Sequence, residues 1–347
     1  MKSLIAASVT ALALTTAFSA PVQAAERVIF NCFFPAKHYV CTQFLPELKN
    51  RIETATEGRV KVNIPPKSLS APPDQYDGVV GGVMDGAVQF NAFIANKVPG
   101  IQFSMLPFVS GASSEIASPA LWETYQEFFA DKNEYDQAVL LSVYVSSGSE
   151  IYSMTDKPIE TIEDIGSRKM WGPPGIVANT LKETGSSVVA GPAVQMLEII
   201  SKGVVDGYAG VPWEALLTFK LGDYTKSATS LETKLFQPGF SFLISKAKWD
   251  KFSADDQAAI MKVAGADFAK FAGAIQDKVN NGSRTKLTEG GIEVIDASDE
   301  LEAGLRKISE PTTEAWIAKA SEMGVDGKAV IDFYLARIAE GNAAIAN

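Results

Sequence analysis

Histidine is almost absent from this chain. His38 is the only one in 347 residues, and Cys32 and Cys41 are the only cysteines. Dedicated zinc sites draw on those two residue types, so composition argues against one. The GxSxG elbow, HExxH, the P-loop and GxGxxG are also missing. A secreted enzyme then survives only as acid–base work by a carboxylate pair, for which the 41 acids leave many pairings. Basic charge is short: 31 Lys and Arg against those acids leave a formal net charge of −10. Such a chain is not built to hold the phosphates of nucleic acid. The charge serves solubility, or weakly steers a cationic ligand. Beyond the N-terminus no apolar run approaches the ~20 residues that span a bilayer.

The apolar run that does exist, Leu4 to Phe18, follows Lys2 and leads to Val22-Gln23-Ala24, a small-x-small cleavage site. Residues 1–24 therefore read as a cleaved signal peptide, and the mature protein as soluble and periplasmic. Removing them moves the formal charge to −11. An oxidising compartment permits a Cys32–Cys41 disulfide, but the residue types alone leave open whether one forms. A monomer without a cofactor is expected.

The patterning is α/β. Arg27 to Phe34 reads as a buried strand, Val40 to Ala55 as a helix with Phe44, Leu48 and Ile52 on one face, and Arg59 to Ile64 as a second strand. A proline-rich link, a helix from Asp74 to Gly82 and a strand from Met84 to Asn91 complete a βαβαβ order, which calls for parallel pairing. A helix from Ala117 to Asp131 and a strand from Val139 to Ser146 follow, and Ser147 to Glu150 is a candidate crossover between domains. The stretch from Ile165 to Phe219 then alternates strand, turn and helix, with short strands at Arg168–Trp171, Ser187–Ala190 and Tyr208–Ala209. Asp223 to Glu232 reads as a connection and Phe240 to Ile244 as a strand returning to the first domain. A long helical pattern runs from Ser253 to Lys286, weakly broken at Gly265 and Gly273, before a strand over Gly290–Ile295.

Repeated crossing favours two lobes, a hinge and a cleft. Lobe I is assigned residues 25–149 plus about 236–280, lobe II 150–235 plus about 281–330, and the C-terminal helix 331–347. Ligands of open α/β sheets bind at the carboxyl ends of strands. That rule selects Trp171, Tyr208, Trp213 and Glu214 in the second lobe, and Phe33, Phe34, Asn91 and Phe93 in the first. Asn91 adds a short amide able to hydrogen-bond a ligand.

In their order and spacing, several segments give the chain a family likeness. They are Thr56-Glu57-Gly58-Arg59-Val60-Lys61-Val62, Val79 to Ala87, Met105-Leu106-Pro107-Phe108, Ile162 to Gly166 before Lys169-Met170, Gly203 to Gly207, and Lys248 to Ser253. The chain resembles the extracytoplasmic solute-binding proteins of TRAP transporters, the DctP-type receptors. The resemblance implies a two-lobed, periplasmic-binding-protein-like α/β fold with an interdomain cleft and a long bridging helix. It implies capture of a small polar solute between the lobes and delivery to membrane permease subunits. Presentation to a membrane sensor is a related role that the residues do not separate from transport. Where the family usually carries a carboxylate-clamping arginine, two positions after Lys169, this chain has Trp171. Indole cannot replace a planar guanidinium fork. An aromatic box of Trp171, Trp213, Tyr208, Phe33 and Phe34, with Glu214 as counter-ion, favours a small amine or amino alcohol such as ethanolamine. Against this stand two alternatives. Lys37, Lys169 or Arg168 holds a carboxylate; or Trp171 and Trp213 pack the hinge and Glu214 belongs to the first turn of its helix.

Overall fold

The computed structural model describes residues 25–109 and 113–346, so the signal-peptide expectation lies outside the described residues. Two sheets form. The first contains β1 (Glu26–Asn31), β2 (Val60–Asn63), β3 (Gly86–Phe90) and β4 (Ala138–Val145), and the second contains β5 (Ile151–Ser153), β6 (Lys169–Gly172), β7 (Ser187–Ala190), β8 (Gly207–Ala209) and β9 (Ser227–Ser230). The chain then returns: β10 (Gly239–Ser245) joins the first sheet and β11 (Glu293–Asp296) the second. The orders are β2-β1-β3-β10-β4 and β11-β9-β5-β8-β6-β7.

In the first sheet β1 runs parallel to β2 and β3, as the βαβαβ order requires, while β10 is antiparallel to β3 and β4. Every residue of β10 is buried, as suits an apolar strand flanked on both sides and covered on both faces. Within the second sheet Trp171 of β6 stands in register with Tyr208 of β8 and Val189 of β7.

The helical pattern from Ser253 to Lys286 breaks at Gly265, as expected, into two helices, Ala254–Val263 and Gly265–Glu289, where Gly265 takes φ +54°. Ser253 caps the first of these by accepting the Asp256 N–H. Gly273 breaks nothing: a Cβ there would overlap the Ser114 carbonyl, so this glycine lets two helices approach. Residues 223–232 were expected as a connection, but β9 lies among them. Its SATS sequence is polar, and pairing with β5 and β11 makes it a strand.

The Gly265–Glu289 helix, about 37 Å long at 1.5 Å per residue, ties the sheets together. Its Phe268 and Ala272 pack with the β1 and β10 side chains, and its Leu287 packs with Trp213 and Ile292 beside the second sheet. Two further connections cross side by side, Ser146 N donating to Pro238 O and Ser149 N to Phe236 O. Glu150 anchors them by accepting from Lys234 Nζ and from Trp213 Nε1. Residues near the chain end depart from their expected lobe. Trp316, Ala320, Val325 and Val330 pack with Leu121 and Phe103 of the first lobe, while Leu301 and Leu305 of the same Asp299–Glu322 helix pack with Ile165 and Met170 of the second. Among the described residues the final helix spans Gly327–Ala346, starting before the expected residue 331.

Candidate functional site

Two adjoining cavities lie between the sheets. The larger, ≈ 610 Å³, is bordered by Gln102 and Asn96 of the first lobe, Asn179 and Lys182 of the second, and Trp316 of the Asp299–Glu322 helix. The smaller, ≈ 60 Å³, is walled by Phe33, Phe34, Phe90, Phe93, Tyr144 and Phe240 from the first lobe and by Ala193, Val194, Val211 and Glu214 from the second. Phe90, Pro173, Gly210 and Pro238 belong to both walls. No lysine or arginine lines the smaller cavity among the described residues.

The loop after β1 supplies one wall. Phe33 stacks on Phe34 at 4.2 Å between centroids, Phe34 on His38 at 4.1 Å, and His38 leans on Tyr39 at 4.2 Å. Cys32 and Cys41 are joined by a disulfide, their Cα atoms 5.8 Å apart, and it closes this loop. From the other lobe, the Trp213–Thr218 helix presents Glu214 in its first turn. Glu214 Oε1 lies 3.0 Å from the Tyr39 hydroxyl, and Oε2 accepts from Thr218 Oγ1 at 3.2 Å. Tyr39 also bonds the Gln276 side chain of the bridging helix, whose Asn280 accepts the Glu214 backbone N–H at 3.3 Å. A hydroxyl carries one proton. Two acceptors at Tyr39 therefore require that Glu214 be protonated or that the Gln276 amide present its nitrogen.

Electrostatics follow from burial. Removal from water pushes the Glu214 carboxyl up to about 7, against the opposing hydrogen bonds of Tyr39 and Thr218. Burial pushes His38 down to about 3, so its imidazole is neutral at ordinary pH. His38 Nε2 has no hydrogen-bond partner among the described residues and faces Glu214 Oε2 at 3.8 Å.

The sequence-selected residues divide. Phe33, Phe34 and Glu214 meet at the smaller cavity. Trp171, Tyr208 and Trp213 are core: all three are buried in the second lobe's hydrophobic cluster, which Ala193, Val194 and Val211 join from the cavity side. Tyr208 OH bonds Thr225 Oγ1, and Trp213 Nε1 donates to Glu150. Trp171 lines neither cavity. Asn91 is buried. Its side-chain oxygen accepts from Ser241 Oγ, and it lines neither cavity. The alternative carboxylate partners do not line them either. Lys37 and Lys169 are exposed elsewhere, and Arg168 donates to Ser153 Oγ and to the Lys157 and Pro158 carbonyls. His38, Tyr39, Tyr144 and Phe240 were not selected. A lone histidine beside a tyrosine in a loop at a strand's carboxyl end was the available signal for the first two.

Two α/β lobes, a walled cleft between them and one helix running through both define the class of extracytoplasmic solute-binding proteins. The chain belongs to the bacterial extracellular solute-binding protein family 7, DctP, whose pattern matches residues 30–320. It is 33% identical over 290 residues, 83% of this chain and 85% of the relative, to the outer membrane transporter protein TsaT of Comamonas testosteroni. It superposes with TM-score 0.83 and 28% identity on a TRAP periplasmic solute-binding protein of Bordetella bronchiseptica holding (R)- and (S)-mandelate, covering 90% of this chain and 99% of that one. A marine-metagenome TRAP solute-binding protein specific for aromatic acids, bound to 3-hydroxybenzoate, gives 0.81 and 28%, covering 91% and 99%. The family and the two solved relatives are solute-binding proteins.

Proposed function

We propose that the chain is the periplasmic receptor of a TRAP-type secondary transporter, working with membrane permease subunits. It takes a small aromatic solute whose polar end is an amine or a hydroxyl. One observation carries the solute class: Glu214, an acceptor when ionised, stands in a cavity walled on its first-lobe side chiefly by aromatic rings, with no lysine or arginine in the wall among the described residues. Aromatic rings recognise a ring by offset or edge contacts and a cation through the ring face. The amine preference, which the sequence attached to Trp171 with Glu214 as counter-ion, rests here on Glu214 alone. The ring preference gains support from the relatives that hold mandelate and 3-hydroxybenzoate.

A second reading keeps the aromatic ring and ends it in a carboxylate. It is favoured by Lys182 in the larger cleft and by the upward shift of Glu214, since a protonated carboxyl donates a hydrogen bond. A thermal-shift screen followed by calorimetry separates the two, using tyramine, benzylamine and ethanolamine against benzoate, 3-hydroxybenzoate and mandelate. Ligands that bind only the folded form raise the melting temperature. Response to the aromatic amines alone supports the first reading. Response to the acids alone overturns it in favour of the second, and response to ethanolamine but to no aromatic compound removes the ring requirement.

A further inference from the structure

We propose that the Cys32–Cys41 disulfide is a positioning device for the solute site rather than a staple of the first lobe. This rests on the Phe-walled cavity being that site. Cys32 directly follows β1, and Cys41 lies in the first turn of the helical segment that begins at Val40. The bond closes residues 33–40. Of these, Phe33, Phe34, His38 and Tyr39 line the cavity, while Pro35, Ala36 and Lys37 are exposed. The ring stack from Phe33 through His38 ends on Tyr39, which reaches Glu214 on the other lobe. One covalent bond thus sets the geometry of a whole wall and of the contact between lobes.

The lobe has other means of holding together. β1 is paired on both sides, by β2 and β3. The helix after the loop is fixed by Phe44, Leu45, Leu48 and Ile52, all in the core. Within the loop the backbone makes fewer bonds of its own: His38 N to Pro35 O, Val40 N to His38 Nδ1, and Cys41 N and Thr42 N to His38 O. Opening the disulfide therefore multiplies conformations chiefly in residues 33–41. A solute must then order four side chains on binding, and preordering is what the bond contributes.

The test compares three forms of the mature protein: oxidised wild type, wild type reduced with a phosphine, and the Cys32→Ser/Cys41→Ser double variant. Segment-resolved amide exchange, melting temperature and calorimetric affinity for tyramine are read on each. The expected result is exchange at least about tenfold faster in residues 33–42, unchanged exchange in β1 and Leu45–Ala55, and an affinity about tenfold weaker. Unchanged exchange in 33–42 overturns the proposal. So does faster exchange spread across β1, β2 and β3, or failure of both disulfide-free forms to fold, since the bond would then hold the lobe. If tyramine binds no form, the amine reading of the site falls, and the exchange pattern still decides the role of the disulfide.

Discussion

The Tyr39 hydroxyl and Glu214 Oε1 lie 3.0 Å apart, although 175 positions separate the two residues and they belong to different lobes. Both side chains are buried, and Gln276 of the bridging helix completes the contact. Lobe I, lobe II and the helix that links them therefore meet at one hydroxyl.

Tyr39→Phe tests that junction. It removes the hydroxyl, keeps the ring that follows His38 in the stack, and leaves Glu214 with one hydrogen-bond partner fewer. Losing a partner to a buried polar group costs about 1–3 kcal/mol. Solute affinity is expected to fall roughly 5- to 150-fold at that cost, measured by calorimetry with whichever screened compound binds. Small-angle scattering of the ligand-free protein should show a more open average shape. Wild-type affinity and shape together would mean that the contact does not hold the closed form.

A pH titration of binding reports the charge of Glu214. With its carboxyl raised to about 7 by burial, the group passes from neutral to anionic across the neutral range. The other ionisable side chains facing it stay neutral there: burial holds His38 near 3 and pushes Tyr39 and Tyr144 upward. An amine needs the carboxylate, so its affinity should weaken about tenfold per unit as pH drops below 7. A carboxylate solute needs the protonated form, so its affinity should weaken as pH rises above 7. Glu214→Gln should flatten either profile. A sloped profile that survives in Glu214→Gln would assign the titration to the solute or to another group.

Trp171→Ala distinguishes core from site. Trp171 is fully buried among Tyr152, Met196 and Tyr208 and does not line the cavity. Emptying such a position costs about 3–5 kcal/mol of stability. The expected outcome is a clearly lower melting temperature with affinity near wild type at a temperature where the protein remains folded. Phe34→Ala should do the reverse, since Phe34 is half-buried at the cavity wall. Lost binding with unchanged stability in Trp171→Ala would return the indole to the site.

These contrasts show what the sequence carried. Strand and helix periodicities, the parallel βαβαβ order and the return of Phe240–Ile244 to the first sheet were legible, because burial on one face or both writes itself into the residue pattern. β9 was not legible, since SATS gains its strand character from neighbours distant in sequence. At the smaller cavity, Phe33, Phe34 and Glu214 followed from the rule about strand ends. Trp171 followed from the same rule but lies in the hydrophobic cluster and lines neither cavity, and a rule about strand ends does not separate those two placements. Tyr39 and His38 become informative only once Glu214, on another lobe, is known to face them.

Gly273 offers a test of the bridging helix with a built-in control. Both Gly273 and Gly282 lie inside Gly265–Glu289, where glycine costs about 1 kcal/mol relative to alanine. Propensity alone therefore makes both alanine variants more stable. A Cβ at Gly282 meets nothing within 4 Å, so Gly282→Ala should show that gain. At Gly273 the added carbon overlaps the backbone of Ser114 and Glu115. That backbone cannot yield cheaply, because Asp277, one turn further along the same helix, accepts both the Ser114 and the Glu115 N–H, at 2.8 and 3.0 Å. Overpacking costs of about 1–3 kcal/mol then match or exceed the propensity gain. In urea unfolding, Gly273→Ala should be less stable than wild type while Gly282→Ala is more stable. Equal stabilisation by both would show that the two helices have room to part, and the rigid attachment of the bridging helix to the first lobe would have to be given up.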